Sequence, residues 1–180
     1  MNAPIVHING WPGCGKLTIA RILRARLGAC LMHNHLILDP ASALFERGTE
    51  ARAVLRERLR DVLYEAARDL PADRPIVVTD ALAETDRHGA LFKKTAFLAT
   101  SLDRPLRPVV LDITEDENLR RIRSPERAGT SKLQEPDVLR DLRARHRLMR
   151  LPGALLLDVS DLPAGSAADR IAGWLDGQDV

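Results

Sequence analysis

The stretch of sequence that decides the fold is Pro4-Ile5-Val6-His7-Ile8-Asn9-Gly10-Trp11-Pro12-Gly13-Cys14-Gly15-Lys16-Leu17-Thr18. It opens with the apolar pattern of a buried strand, passes through a glycine-rich turn and continues into the pattern of an amphipathic helix. The turn, from Gly10 to Lys16, matches the phosphate-binding motif G-x-x-x-x-G-K. The motif's last position differs, because Leu17 stands where Ser or Thr is usual and Thr18 follows one place later.

The chemistry of this turn favours a bound nucleotide. Glycines allow a backbone conformation that points N–H groups at a phosphate, and the following helix N-terminus adds partial positive charge. Lys16 supplies a full charge for the terminal phosphates. The alternative is a tight Gly-Pro turn without a ligand, and the flanking strand and helix argue against it. We expect the nucleotide contacts at Gly10, Pro12, Gly13, Cys14, Gly15, Lys16, Leu17 and Thr18.

Composition restricts the class of protein. A chain of 180 residues with 45% apolar and 29% charged residues fits one soluble domain, 1–180. No apolar run is long enough to cross a membrane, and the first strand leaves no room for a signal peptide. Two cysteines do not form a disulfide framework, so we expect a cytoplasmic protein. The net charge of +2 gives no support for nucleic-acid binding, which leaves a small-molecule partner and a monomer or homodimer.

Strand patterns alternate with helix patterns along the whole chain, which predicts a doubly covered parallel α/β sheet. Strands are expected at 5–8, 29–33, 75–80, 106–113 and 154–158. Helices are expected at 16–27, from Asp39-Pro40 to 47, and at 50–70, 86–101, 116–123, 136–149 and 164–175. The apolar face predicted for the helix at 50–70 includes Val54, Leu59, Val62 and Leu63. In such a sheet, functional loops follow the carboxyl ends of the strands.

Asp80 follows the third predicted strand. An acid in this place is the usual partner of a phosphate loop and reaches Mg²⁺ directly or through water. The alternative is an Asp that caps the next turn. We favour Asp80 as a catalytic and metal-binding residue.

Asn34 and His35 end the second predicted strand, across the cleft from the phosphate loop, where a phosphate acceptor would bind. His35 could orient or deprotonate an acceptor hydroxyl, although a neutral Asn could also position it. The alternative is one packed and one solvated side chain. His33 adds no metal site without further ligands.

Arginines surround the loop before Pro136. Arg123 and Arg127 are four residues apart, and Gly129 offers a hinge. A basic lid at about 123–135, with Lys132, could close over a triphosphate and stabilise the transferred phosphoryl group. The alternative is a solvated helix end paired with nearby acids. Five arginines of the next helix pattern are expected at the surface: Arg140, Arg143, Arg145, Arg147 and Arg150.

The phosphate loop, Asp80, the arginine lid and the turn after the last strand together resemble the small P-loop kinases. This group includes nucleoside monophosphate kinases, shikimate kinase, gluconate kinase and chloramphenicol phosphotransferase. The resemblance implies a five-stranded parallel sheet of order 2-3-1-4-5, a mobile lid and γ-phosphoryl transfer from ATP with Mg²⁺. The segment from Arg123 to Gly129 is similar to the R-x-x-x-R-x-G of gluconate kinase lids. Asn34-His35 replaces the Asp-x-Asp of shikimate kinases.

The sequence therefore predicts an ATP-dependent phosphotransferase. Its acceptor would be a nucleoside monophosphate or a hydroxylated metabolite or antibiotic. Lys16, Asp80, Arg123 and Arg127 are the expected catalytic residues, with Asn34 and His35 facing the acceptor. The alternative is a nucleotide-binding module without transfer chemistry, which Leu17 favours. A GTPase switch is disfavoured because the chain has no N-K-x-D motif.

Overall fold

Five parallel strands form the centre of the protein in a computed structural model that describes residues 2–125 and 132–178. The strands are β1 (Ile5–Gly10), β2 (Cys30–His33), β3 (Ile76–Thr79), β4 (Leu106–Asp112) and β5 (Leu155–Asp158). Their order is β2-β3-β1-β4-β5, so the predicted topology is confirmed. Ile8 pairs with Thr79 on one side and with Val109 on the other. The phosphate loop therefore leaves the central strand at the point where the strand order reverses, which is where ligands bind in open α/β sheets.

Seven α-helices connect the strands within the described residues. They are α1 (Lys16–Leu27), α2 (His35–Leu44), α3 (Glu50–Ala66), α4 (Asp86–Ser101), α5 (Glu115–Ile122), α6 (Pro136–Arg145) and α7 (Ala164–Leu175), with a 3₁₀ turn at Ala67–Asp69. Among the described residues, no helix is both long and apolar enough to span a membrane.

The two faces of the sheet carry separate cores. Side chains alternate along each strand, so Val6 and Ile8 pack with α1 and α7, whereas Ile5 packs with Tyr64 of α3 and Leu98 of α4. All three β1 side chains are fully buried. The predicted bounds of α1, α4 and α7 are confirmed.

The buried face of α3 differs from the predicted one. Val54 and Val62 are 49% and 66% exposed, while Arg60 and Tyr64 are buried. Arg60 can be buried because it donates to both oxygens of Asp80 and to the Tyr64 hydroxyl. The apolar periodicity of the helix does not reveal this polar partner, which lies on another element.

Helices α2 and α6 also differ in extent from the prediction. Helix α2 begins at His35 rather than at Asp39, because the Asn34 carbonyl accepts from the N–H groups of Ile37 and Leu38. Helix α6 ends at Arg145 instead of continuing to 149. The N–H of Met149 donates to Leu82 O instead, which draws this segment across to the loop after β3.

Candidate active site

The glycine-rich loop between β1 and α1 has the backbone that its sequence predicts. Gly13 and Gly15 have φ of 88° and 100°, in the region that side chains with a Cβ avoid. Gly10 is needed for space, since a Cβ there would lie 2.9 Å from the carbonyl oxygen of Leu111. The ammonium of Lys16 donates to the carbonyl oxygens of Gly10 (2.7 Å) and Trp11 (2.8 Å). The loop and its lysine thus form one compact cationic unit.

A second layer of side chains supports this loop. Asn118 of α5, fully buried, donates to Pro12 O at 2.9 Å and accepts from Arg143 Nη1 at 3.1 Å. The Arg143 guanidinium also lies 5.2 Å from the centre of the Trp11 ring. Arg143 was expected at the surface with its neighbours on α6, but it is half-buried behind the loop because Asn118 and Trp11 provide an acceptor and a π face.

Arg121 connects the phosphate loop with the turn after β5. Its guanidinium donates to Cys14 O (3.2 Å), Val159 O (2.7 Å) and Ser160 O (2.9 Å), and its Nε pairs with Glu117 at 2.6 Å. An open cavity of about 610 Å³ adjoins it, and its lining includes Gly15, Arg121, Arg123, Leu162 and Pro163. The described part of the predicted lid reaches this cavity through Arg123 and its two successors and through Lys132. Arg127 lies outside the described residues.

A second cavity, of about 210 Å³, brings most of the predicted site residues together. Its lining contains Pro12, Gly13, Gly15, Lys16, Leu17, Thr18, Asn34, His35 and Lys132. His35 Nδ1 lies 2.7 Å from Asp39 Oδ1, one helical turn further along α2. Since the carboxyl ends of β1 and β2 open onto the same crevice, the loop and the Asn34-His35 pair face one shared cavity.

Asp80, predicted to reach Mg²⁺ directly or through water, is buried, and both of its carboxylate oxygens already have partners. Its carboxylate accepts from Arg60 Nη1 and Nη2 at 3.3 and 3.2 Å and from His7 Nε2 at 3.2 Å. Burial alone would raise the Asp80 pKa, but the hydrogen bonds and charges of His7 and Arg60 outweigh it and lower the pKa to about 2. Asp80 is therefore an ionised, buried carboxylate with two partners already in place.

The residues near the loop offer few direct ligands to a metal. Within 2–125 and 132–178, no group of three or more His, Cys, Asp or Glu side chains is placed to hold an ion. The side chain of Leu17 has no oxygen, whereas Thr18, an exposed residue, and Thr79 each bring a hydroxyl-bearing side chain to the lining of the 210 Å³ cavity. This donor set suits Mg²⁺ only when phosphate oxygens and water complete its coordination.

Known structures share this fold. A gluconokinase of Sinorhizobium meliloti has a TM-score of 0.65 and 15% identity, with 97% of this chain and 92% of that one covered. The shikimate kinase of Acinetobacter baumannii, solved with shikimate, has a TM-score of 0.60 and 21% identity, with 97% of this chain and 94% of that one covered. The APS kinase of Mycobacterium tuberculosis, solved with AMPPNP and APS, has a TM-score of 0.63 and 18% identity, with 97% of this chain and 98% of that one covered.

The chain has the fold of the small P-loop kinases. Similarity at these identities establishes the fold and leaves the activity to the site's own chemistry. No protein-family model matches the sequence, and no curated protein matches it.

Several polar residues of this P-loop kinase fold were given no role from the sequence, although Arg121 was among the arginines noted before Pro136. Asn118 and Arg121 hold the loop from α5, whereas Arg52 of α3 lines the 210 Å³ cavity and Arg56 of α3 lines a smaller one next to it. One local signal could have identified the α3 residues. Arg52, Arg56 and Arg60 recur every four positions and so share a helix face, although a charged face of a long helix usually meets solvent.

Proposed function

We propose that this protein is an ATP-dependent phosphotransferase that transfers the γ-phosphoryl group to a hydroxyl of a small molecule. The acceptor would be a nucleoside monophosphate or a hydroxylated metabolite or antibiotic. The observation that carries the proposal is the 210 Å³ cavity shared by Lys16 and the glycine loop on one side and by Asn34 and His35 on the other. Donor and acceptor groups bound there would meet directly, which is most of what phosphoryl transfer needs.

Each part of the site has a role in this proposal. Backbone N–H groups of 13–18 and the Lys16 ammonium hold the β- and γ-phosphates. Arg121, Leu162 and Pro163 border the 610 Å³ cavity, where the base of ATP would lie. Arg123 and Arg127, on the lid at about 123–135, stabilise charge on the transferred group.

The transfer exchanges one phosphorus–oxygen bond for another. The acceptor oxygen bonds to the γ-phosphorus, the bond from that phosphorus to the β,γ-bridging oxygen breaks, and ADP leaves. The hydroxyl proton passes to His35 or to water, and Asn34 orients the hydroxyl. Mg²⁺ would neutralise phosphate charge, bound mainly by phosphate oxygens and water. Asp80, held by Arg60 and His7, would act on it through water. A cytoplasmic location, where ATP is abundant, belongs to this proposal.

Leu17 favours a second candidate function, because its side chain removes one metal ligand from the loop. A nucleotide-binding module without transfer chemistry would keep the loop and Lys16 but would need neither Mg²⁺ nor an acceptor cavity. The two functions differ in turnover, since the module would bind ATP equally well without Mg²⁺ and never consume it.

The test combines ATP binding with ADP release over a panel of nucleoside monophosphates, sugar acids and hydroxylated antibiotics. We expect ATP to bind and at least one acceptor to be phosphorylated. Lys16→Met should weaken ATP binding about 10- to 100-fold by removing a charged phosphate contact. Lys93→Met, which removes an exposed lysine of α4, is the matched control. Failure of both ATP and GTP to bind at millimolar concentration would contradict both functions. Binding without turnover would favour the module.

A further inference from the structure

Helix α3 presents an unusual row of arginines to the acceptor side of the site. Arg52, Arg56 and Arg60 follow one another at intervals of four residues, so they share one face. Arg52 lines the 210 Å³ cavity beside the phosphate loop. Arg56 and Arg60 line a smaller cavity of about 80 Å³, together with Asp80 and His88.

The charges around the smaller cavity do not cancel. Arg60 is neutralised by Asp80, which leaves Arg56 as an additional cation. The Arg56 Nε is buried and has no hydrogen-bond partner among residues 2–125 and 132–178. Burial lowers the pKa of Arg56, and so do the charges of Arg87, Arg52 and Arg60, while Glu57 opposes them. A buried donor among like charges is costly unless an anion joins it.

The nearest acid on the same helix does not supply that anion to the cavity. Glu57 Oε2 accepts from Lys94 of α4 at 2.7 Å, and Asp61 accepts from the same ammonium at 2.8 Å. Both acids are therefore held by the lysine that bridges α3 and α4.

His88 adds a neutral donor to the same cavity. Its Nδ1 accepts from the Ala83 N–H at 2.9 Å, so in the neutral ring the proton is on Nε2. Burial lowers the pKa of His88, and the charges of Arg87 and Arg56 lower it further against the opposing effects of the Ala83 contact and Asp80, so the neutral ring is favoured. The cavity thus offers a guanidinium and an imidazole N–H, the donors that a carboxylate or phosphate group requires.

The smaller cavity adjoins the phosphate-loop cavity. Asn34, Leu38 and Ala81 line both of them, so a molecule of modest size can extend from one to the other. Resting on the proposed function, we propose that the phosphoryl acceptor is a small hydroxylated anion. Its carboxylate or phosphate group binds Arg56 and His88 in the smaller cavity, and its hydroxyl reaches Asn34 and the phosphate loop.

The direct test asks whether small oxyanions bind in the smaller cavity, with the NMR signal of His88 as the readout. With AMP-PNP and Mg²⁺ filling the phosphate loop, acetate and inorganic phosphate are titrated while the imidazole resonances of His88 are followed by NMR. We expect a saturable shift at His88, with chloride as the reference ion. The probe that binds more tightly, acetate or inorganic phosphate, identifies the acceptor's anionic group as a carboxylate or a phosphate. Absence of a shift at millimolar concentration overturns the proposal.

Two variants on one helix assign that shift. Arg56→Gln should weaken the oxyanion about 10- to 100-fold by removing the charged donor. Arg58→Gln removes an exposed arginine two positions away and should leave both the shift and its midpoint unchanged. Equal effects of the two variants, or a shift that persists in Arg56→Gln, would contradict a site at Arg56.

Matched acceptors then test the consequence for turnover. Gluconate is compared with sorbitol, shikimate with its methyl ester, and a nucleoside monophosphate with its nucleoside. Phosphorylation of a neutral member as efficiently as its anionic partner overturns the inference and leaves the proposed function standing. If AMP-PNP itself does not bind, the proposed function fails. The titration is then repeated on nucleotide-free Lys16→Met, where a His88 shift that depends on Arg56 would still support the oxyanion site.

Discussion

At the scale of single residues, Leu17 most directly concerns the chemistry of the loop. If Mg²⁺ lacks a protein hydroxyl here, Leu17→Ser should add one and tighten Mg²⁺-dependent ATP binding severalfold, about 1 kcal/mol. Leu17→Ala shortens the side chain without adding oxygen and is the control. Titration calorimetry with ATP, with and without Mg²⁺, measures both. Equal affinity of the two variants would show that the metal is held in another way.

The ion pair of Asp80 with Arg60 should make the free energy of unfolding depend on pH. The pKa of Asp80 is about 2 in the folded protein against 3.8 ordinarily, so the unfolded chain takes up the proton first as the pH falls. The stabilisation, about 2 kcal/mol, is complete above the ordinary pKa and is lost as the pH falls through 3.8 toward 2.

Asp80→Asn measures that contribution. It should destabilise the protein by about 3 kcal/mol at neutral pH, since Arg60 stays buried without its counter-charge. The gap to wild type should narrow below about pH 4 in urea unfolding. Asp137→Asn, at the exposed pair with Arg140, should change stability by less than about 0.5 kcal/mol. A gap that does not depend on pH would contradict the ion-pair account.

Among the helices, strands and loops, a feature could be predicted from the sequence when it depends on its own residues, and not when it depends on a partner in another element. The phosphate loop was predictable because Gly10 to Lys16 carry their conformation in their own residue types, and α1 ends at Gly28 in the left-handed conformation that such a stop uses. The buried face of α3 was not predictable. Burial of Arg60 depends on Asp80, which lies on another element twenty residues away. The roles of Asn118 and Arg143 likewise exist only after α5 and α6 pack behind the loop.

Arg121 of α5 should hold the phosphate loop against the turn after β5. Arg121→Ala removes donors to Cys14 O, Val159 O and Ser160 O, and should cost about 2 kcal/mol of stability and about tenfold in ATP affinity. Arg120→Ala removes the preceding arginine, whose exposed side chain pairs with Glu117, and should change both by little. Urea unfolding and calorimetry measure the two variants side by side. Similar losses in both would mean that α5 does not connect the loops through Arg121.

At the scale of the whole molecule, the sheet order explains why the site forms where it does. β1 is central, with β3 on one side and β4 on the other, so the phosphate loop leaves the sheet between the two halves. The 610 Å³ cavity is bordered by α5 and the turn after β5, and the 210 and 80 Å³ cavities by α2, α3 and the loop after β3. The strand order and the glycine-rich loop could be predicted from the sequence, whereas the charge of the cavities lined by α3 emerges only from the assembled structure.

Transfer of label from ATP to a small molecule distinguishes a phosphotransferase from a protein that only binds the nucleotide. The protein is incubated with Mg²⁺ and γ-phosphate-labelled ATP in a small-molecule cell extract, and labelled products are resolved by mass spectrometry. We expect the label in an anionic small molecule, in wild type and Lys93→Met but not in Lys16→Met. Label that remains in ATP, or that is found solely in inorganic phosphate although ATP binds, would contradict a phosphotransferase.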